Sequence, residues 1–317
     1  MFYRLLICIF VVQHAEMDTV LNYSLHEVEP YINWLYFFNT WGLPPRMGAV
    51  AQQHDCPSCR AAWLSSFPES EQGKAKEAAR LYDDALAMLH QMDGEIQTHA
   101  LVGLYDANSR QDDIVVHRSK KSEDDFILPM LRQQHGEQCL SWADFLRLEE
   151  SGVKDTIGIF VTSVDEKMEH SFPNDDYQHL LCQTLADRLA EATAERMHKQ
   201  VRTTLWGYAP DEKLTPAELF QEKYTGKRPA VGYPSLPDQS LNFLIDQLMG
   251  MQRIGVSLTP SGAMQPHAST SGLIFAHPAA THFAIGPIDD GQLQDYAHRR
   301  GLTPEELRPF LAANLTH

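Results

Sequence analysis

Apolar residues recur at helical spacing over two long stretches of the chain. From about Glu71 to Met92, the residues Ala78, Leu81, Ala85, Leu86 and Leu89 fall on one face of a helix. From about Asp176 to Thr204, a second stripe is formed by Leu181, Leu185, Leu189 and Ala192, and Pro173-Asn174-Asp175 places breaker and capping residues just ahead of it. Shorter helices are predicted at Pro216–Lys223, Gln239–Met249, Gly291–Arg300 and Pro304–Ala312. The last of these opens on Thr303-Pro304-Glu305-Glu306, a capping box with Thr at the N-cap, Pro at N1 and Glu at N3. Strand-like runs lie between the helices at Ala100–Tyr105, Asp113–His117, Thr156–Val161, Gly255–Leu258, Gly272–Ala276 and His282–Ile285. Strands come partly as neighbours and do not alternate one-for-one with helices. That order predicts an α+β fold, a single domain with a largely antiparallel twisted sheet flanked by helices.

Composition narrows the function classes. The chain has 317 residues, 43% of them apolar, enough to bury a substantial core. Its 26 basic and 42 acidic residues give a formal charge of −16, so a nucleic acid or an anionic membrane would be repelled. No Gly-x-Gly-x-x-Gly or Walker-type loop is present, which argues against a dinucleotide or nucleotide-phosphate domain. Leu5–Val12 is an apolar stretch far short of the ~20 residues needed to span a bilayer. Gln13-His14-Ala15-Glu16 supplies no small-x-small cleavage site, and Met17 follows. Residues 1–16 therefore read as an N-terminal extension, and 17–317 as the domain.

The five cysteines, Cys8, Cys56, Cys59, Cys139 and Cys182, form no secreted disulfide framework, and the expected compartment is a reducing cytoplasm. In His54-x-Cys56-Pro57-Ser58-Cys59, the Cys-x-x-Cys spacing suits zinc or redox chemistry. It has no second pair and no thioredoxin-like surroundings, so plain structural thiols are expected and no metal site is assigned.

Two stretches have the composition of a ligand site. In Arg228-Pro229-Ala230-Val231-Gly232-Tyr233-Pro234-Ser235-Leu236-Pro237-Asp238, the prolines and glycine preclude an ordinary helix or central strand. The result is a stiff, extended loop presenting Arg228 and Tyr233. A guanidinium grips a carboxylate in bidentate fashion, although composition alone favours a structural connection with Arg228 in a surface salt bridge. In Ala263-Met264-Gln265-Pro266-His267-Ala268-Ser269-Thr270-Ser271-Gly272, small residues permit close backbone approach. His267, and His277 just beyond, read as loop residues in the absence of a spaced ligand set.

Together these stretches resemble the activation domain of cobalamin-dependent methionine synthase, through Arg-Pro-Ala-x-Gly-Tyr-Pro with the following Pro-Asp, and Ala-Met-x-Pro-x-Ala-Ser-x-Ser-Gly with His277-Pro278. Leu185–Ala192, Trp206-Gly207-Tyr208-Ala209-Pro210 and Asp295-Tyr296-Ala297-x-Arg299-Arg300-Gly301 agree in the same order. The similarity spans roughly Leu21 to Leu315.

The resemblance implies a domain that holds S-adenosylmethionine over cobalamin borne by a neighbouring module; with no Asp-x-His-x-x-Gly signature in this sequence, the cobalamin and homocysteine modules are expected to act in trans. One electron from a flavoprotein and the sulfonium methyl then restore methylcobalamin from cob(II)alamin. It implies no catalytic side chain; positioning of the methyl is the protein's main contribution. By the same resemblance, Arg228 binds the ligand carboxylate, Tyr233 and the backbone at Ala230 and Gly232 supply neighbouring contacts, and Glu191 contacts the ligand from a helix. Read without the resemblance, Glu191 is one of a solvated like-charged row with Asp187 and Glu195.

Two positions depart from the family pattern. Asn33 stands where an aspartate would pair with the ligand ammonium, and His282 lies where a tyrosine is usual. These departures leave open a second version, a non-catalytic partner that docks on a corrinoid protein without using S-adenosylmethionine.

Overall fold

The sheet is organised around β2 (Gln97–Arg110), which at 14 residues is long enough to pair with different strands along its length. In this computed structural model, which describes residues 17–53, 56–118 and 124–316, β1 (Met17–Ser24) lies beside Gln97–Leu104 and β3 (Asp113–Val116) beside Ala107–Arg110 on one edge of β2. On the opposite edge β5 (Asp155–Val164) pairs across Thr98–Ala107. β4 (Phe126–Pro129) continues the sheet beyond β3, and β8 (Ser269–Ile274) continues it beyond β5. Every pairing is antiparallel. A short hairpin of β6 (Ser257–Leu258) and β7 (Met264–Gln265) stands apart. Residues 1–16 and His54, both named in the sequence reading, lie outside the described residues.

Side chains alternate across the sheet, as a pleated strand requires. Ala100, Val102 and Leu104 of β2, Phe160 and Val164 of β5 and Ile274 of β8 face one core. Leu101, Tyr105, Ile157, Ile159, Val161, Leu273 and Phe275 face another. Both faces are covered, which explains the near-continuous apolar runs. The first core is closed by α4 (Glu69–Met92), α5 (Asp176–Gln200) and the short helices α1 (Leu25–Val28) and α2 (Trp34–Thr40). The second is closed by the segment holding Trp142 and Phe145 and by α7 (Leu241–Met249). α8 (Asp290–Arg300) and α9 (Pro304–Leu311) form a third, smaller cluster around Tyr296.

The caps follow the sequence. Asp175 accepts from the Gln178 amide at the start of α5, and Thr303 with Glu306 forms the expected reciprocal box. Leu181, Leu185, Leu189 and Ala192 are buried as the stripe predicts, while Leu86 of α4 is only partly so.

Three expectations are corrected. His282–Ile285 is not a strand: Gly286-Pro287 follows it, and the Ile285 amide bonds to Pro234 O at 2.8 Å instead of to a neighbouring strand. The helix expected to run to Thr204 ends at Gln200 and continues as a π-turn over Val201–Leu205, with the Trp206 amide on Val201 O at 2.9 Å. The two thiols expected to be free, Cys56 and Cys59, are joined as a disulfide. It sits at the start of α3 (Pro57–Ser65). β1, β4 and the helices between residues 25 and 65 were not predicted, because these segments are short and lack a sustained period.

Candidate functional site

Residues 227–231 run along the free edge of β8 as an added antiparallel partner. Lys227 pairs with Phe275 and Ala230 with Gly272. Proline lacks an amide hydrogen, so Pro229 contributes only its carbonyl, which accepts from the Leu273 amide at 3.0 Å. The Val231 amide donates to Ser271 O at 2.9 Å. This approach is possible because residue 272 is glycine: a Cβ there would stand 2.1 Å from Pro229 O and 2.9 Å from Ala230 Cα.

The chain then turns at Gly232, whose φ of +88° favours glycine, and its amide donates to Leu236 O at 2.8 Å. The far end of the loop is held in the core. Trp142 Nε1 donates to Ser235 O at 3.0 Å, and the buried carboxylate of Asp238 accepts from Arg300 and from Tyr296 Oη. Asp238 and Arg300, both within the matching motifs, thus serve as anchors that fix the loop from below.

Fixing both ends of the loop sets the direction of Arg228. Its side chain turns inward, is 11% exposed, and lies over the Phe160 ring with Cζ 5.3 Å from the centroid. Its terminal nitrogen is 3.5 Å from Glu195 Oε2 on α5. A second buried arginine, Arg202, also borders Glu195 at 3.9 Å. Arg202 is already answered by Glu212 through two bonds of 2.7 and 2.8 Å and by the Tyr224 ring at 4.1 Å. Glu195 is therefore shared loosely, and Arg228 Nε and Glu195 Oε1 are buried without a hydrogen-bond partner. An unmet buried polar group costs about 1–3 kcal/mol, so this arrangement favours an incoming acceptor at Arg228.

The surrounding charges keep Arg228 protonated. Burial opposes the charge on Arg228, yet Glu195, Tyr224 and Glu191 outweigh it and hold its pKa above the ordinary value. Burial pushes the Glu195 carboxyl upward, against the pull of Arg228 and Arg202. His198, fully buried behind them, is held well below its usual range by burial and then by Arg202, Arg228 and Lys227, so it adds no charge at neutral pH.

At the rim, Tyr233 is 52% exposed and its hydroxyl donates to Glu191 Oε1 at 2.8 Å. Burial and Glu191 push that phenol up to about 12, so it remains a donor. Glu191 and Glu195, one turn apart on α5, thus both meet the Arg228 loop, one at the rim and one at the floor. The like-charged row read from sequence is no solvated face at these two positions.

His282 reaches the site indirectly. Its Nε2 is 3.3 Å from Glu222, which also pairs with Lys227 Nζ at 2.8 Å, beside Arg228 in the chain. Asn33 is the N-cap of α2, its Oδ1 accepting from the Leu35 amide at 3.2 Å. The structure therefore bonds Tyr233 to Glu191, sets Arg228 against Glu195 one turn further along α5, and reaches His282 through Glu222 and Lys227. Asn33 is joined to them by no hydrogen bond among the described residues, although its helix packs on α5.

The Glu222 contacts predict an acid-dependent contribution to stability. Its hydrogen bond to His282, opposed by burial and aided by Lys227, lowers its pKa from the ordinary 4.5 to about 2. A carboxylate held low in the folded state stabilises above its unfolded pKa and loses that contribution as pH falls through its folded pKa. Glu222→Gln should therefore flatten the fall in melting temperature between about pH 4.5 and about pH 2, followed by circular dichroism. The effect will be modest, because the side chain is 41% exposed and screened by solvent.

The family resemblance, not spacing, singled out Arg228, Tyr233 and Glu191. Glu195 was visible only as a neighbouring charge, although its i+4 spacing from Glu191 was the available signal. Phe160, Arg202 and Glu212 gave none, since nothing local marks a strand aromatic or a loop carboxylate as a partner of this arginine.

An antiparallel sheet flanked by helices, with an edge segment that holds a buried arginine against a helix carboxylate, defines an α+β domain with a buried ion pair at the edge of its sheet. The chain belongs to the family of the activation domain of vitamin B12-dependent methionine synthase, whose family model matches residues 24–301. It is similar to a protein of known structure described as the MetH reactivation domain bound to AdoHcy, with 34% identity and a TM-score of 0.82. The match covers 96% of this chain and 92% of that one.

Proposed function

We propose that the chain binds S-adenosylmethionine between the Arg228 loop and α5 and serves the reductive methylation of an oxidised corrinoid. The observation that carries this reading is the buried Arg228, whose Nε has no partner and whose Nη2, on the same edge, has only a long contact of 3.5 Å with Glu195 Oε2. The AdoHcy of the similar structure is S-adenosylmethionine without its methyl group and presents the same amino-acid carboxylate. Arg228 holds that carboxylate in bidentate fashion. The backbone at Ala230 and Gly232 lies alongside the ligand, and Tyr233 exchanges its bond to Glu191 for a contact with it. Glu191, released from Tyr233, faces the ligand's positive groups. His282 closes the Lys227 side of the site.

When bound, the ligand supplies a methyl group on its sulfonium to a corrinoid that takes one electron from a flavoprotein. The chain's own residues anchor the ligand at one end so that the sulfonium is held at a fixed place and angle, which is where the rate gain lies. The cobalamin and homocysteine modules act with it in trans, in the cytoplasm. No helix among the described residues is long and apolar enough to cross a membrane.

Asn33 favours a second version, docking on a corrinoid protein without S-adenosylmethionine, because its Oδ1 is already engaged at the cap of α2 and it brings no charge. Asn33→Asp separates the two. On the first reading it should tighten S-adenosylmethionine binding roughly tenfold, from about 1–2 kcal/mol of charge-assisted bonding to the ammonium. On the second it leaves affinity undetectable in both proteins. The function itself is tested with a cob(II)alamin-loaded corrinoid module, a one-electron reductant and methyl-labelled S-adenosylmethionine. Label should pass to the corrinoid only when the chain is present; transfer that is equal without it refutes the proposal.

A further inference from the structure

Away from the Arg228 loop, Cys56 and Cys59 are bridged at the N-terminus of α3, with Cα atoms 5.3 Å apart. We infer that this pair is a thiol–disulfide exchange site whose co-substrate is a small dithiol or a dithiol protein. Four observations converge on it, and none depends on S-adenosylmethionine binding.

As a structural staple the bridge has little to do. It joins residues only three apart, and the stabilisation a disulfide gives by restricting the unfolded chain grows with the loop it closes. The helix is anchored without it. Trp63 is 7% exposed in the first core and packs edge-on against Phe67 at 5.0 Å, and Pro57 at N1 presets the first turn. Both redox states are therefore compatible with the same fold.

The surroundings suit a thiolate. Cys56 is the N-cap, its sulfur accepts the Cys59 amide at 3.0 Å, and Ser58 Oγ is 3.3 Å away. On reduction, the same amide and the positive end of the helix favour a negative sulfur at Cys56. The pair is also reachable, since both cysteines are partly exposed and Pro57 and Ser58 between them are exposed. Elsewhere, Cys182 is fully buried and its thiol is pushed up to about 11 by burial, so it is inert, and Cys139 stands without a partner cysteine among the described residues.

The exchange balances as follows. One thiolate of the reductant attacks Cys56 Sγ, the Cys56–Cys59 bond breaks, and Cys59 leaves and takes a proton. The reductant's second thiolate then attacks its own sulfur in the mixed disulfide and releases Cys56 as the thiolate held by the Cys59 amide. Two electrons pass to the pair, and the reductant is left as a disulfide. Oxidation runs the same steps in reverse, with Cys56 as the nucleophile and Cys59 as the resolving thiol.

The test equilibrates the native, full chain in mixtures of reduced and oxidised dithiothreitol, followed by acid quench, alkylation and peptide mass analysis. The peptide holding Cys56 and Cys59 should convert reversibly between disulfide and doubly alkylated forms, with the same circular dichroism melt in both states. Cys59→Ser should form a mixed disulfide with glutathione disulfide at least ten times faster than Cys56→Ser. The inference is overturned if the pair stays oxidised until the protein is denatured, or stays reduced in every mixture. Equal rates for the two serine variants, or one equivalent of zinc lost in Cys56→Ser, would overturn it as well.

Discussion

Arg228→Ala is expected to lower S-adenosylmethionine affinity by about tenfold to a hundredfold while the chain remains folded. The substitution removes a charge-assisted bidentate grip, worth about 1.5–3 kcal/mol, on the ligand carboxylate. The fold tolerates the change because burial already pushes the Glu195 carboxyl upward, so it can take a proton in place of its lost partner. Arg228→Lys keeps the charge but not the forked geometry, and should fall between the wild type and the alanine variant. Titration calorimetry reads the affinities and circular dichroism confirms folding. Binding within threefold of wild type in Arg228→Ala would remove this residue from the site.

Gly272→Ala should have the second largest effect, through the backbone. The new methyl would collide with Pro229 O and crowd Phe160 Cε1, which a Cβ would approach to 2.8 Å. No flexible side chain can yield there, so residues 227–231 must move off β8 and give up the Leu273–Pro229 and Val231–Ser271 hydrogen bonds. Overpacking of this kind costs about 1–3 kcal/mol. The displaced segment carries Arg228, so S-adenosylmethionine affinity should fall by about tenfold or more even though residue 272 contributes no side chain. Thermal denaturation together with calorimetry checks both parts. Wild-type stability with wild-type affinity would show that the close approach is not needed.

These two residues illustrate what the chain discloses before it folds. The stiffness of the Arg228 loop was legible locally, from prolines at 229 and 234 and a glycine at 232, but Arg228 itself was singled out only by the family resemblance. Gly272 was legible only as one of several small residues; its role depends on Pro229 and Ala230, 43 and 42 residues earlier in the chain, meeting it at the strand edge. The paired strands β2 and β5 were partly visible as apolar runs, but their faces were not assigned, because both faces are buried and the usual polar alternation is missing. The stretch His282–Ile285 looked like a strand by composition, yet its backbone is committed to Pro234. Glu195 was the largest omission. Its meaning comes from Arg228 and Arg202, 33 and 7 residues further along, meeting it only in the folded chain.

On the proposed function, Arg228, Glu195, Glu191 and Tyr233 together receive the amino-acid end of S-adenosylmethionine. Calorimetric titration of the full chain with S-adenosylmethionine, and in parallel with S-adenosylhomocysteine, tests it most directly. Saturable one-to-one binding of both, lost in Arg228→Ala, is the predicted result. A folded chain that takes up neither ligand at millimolar concentration would contradict it.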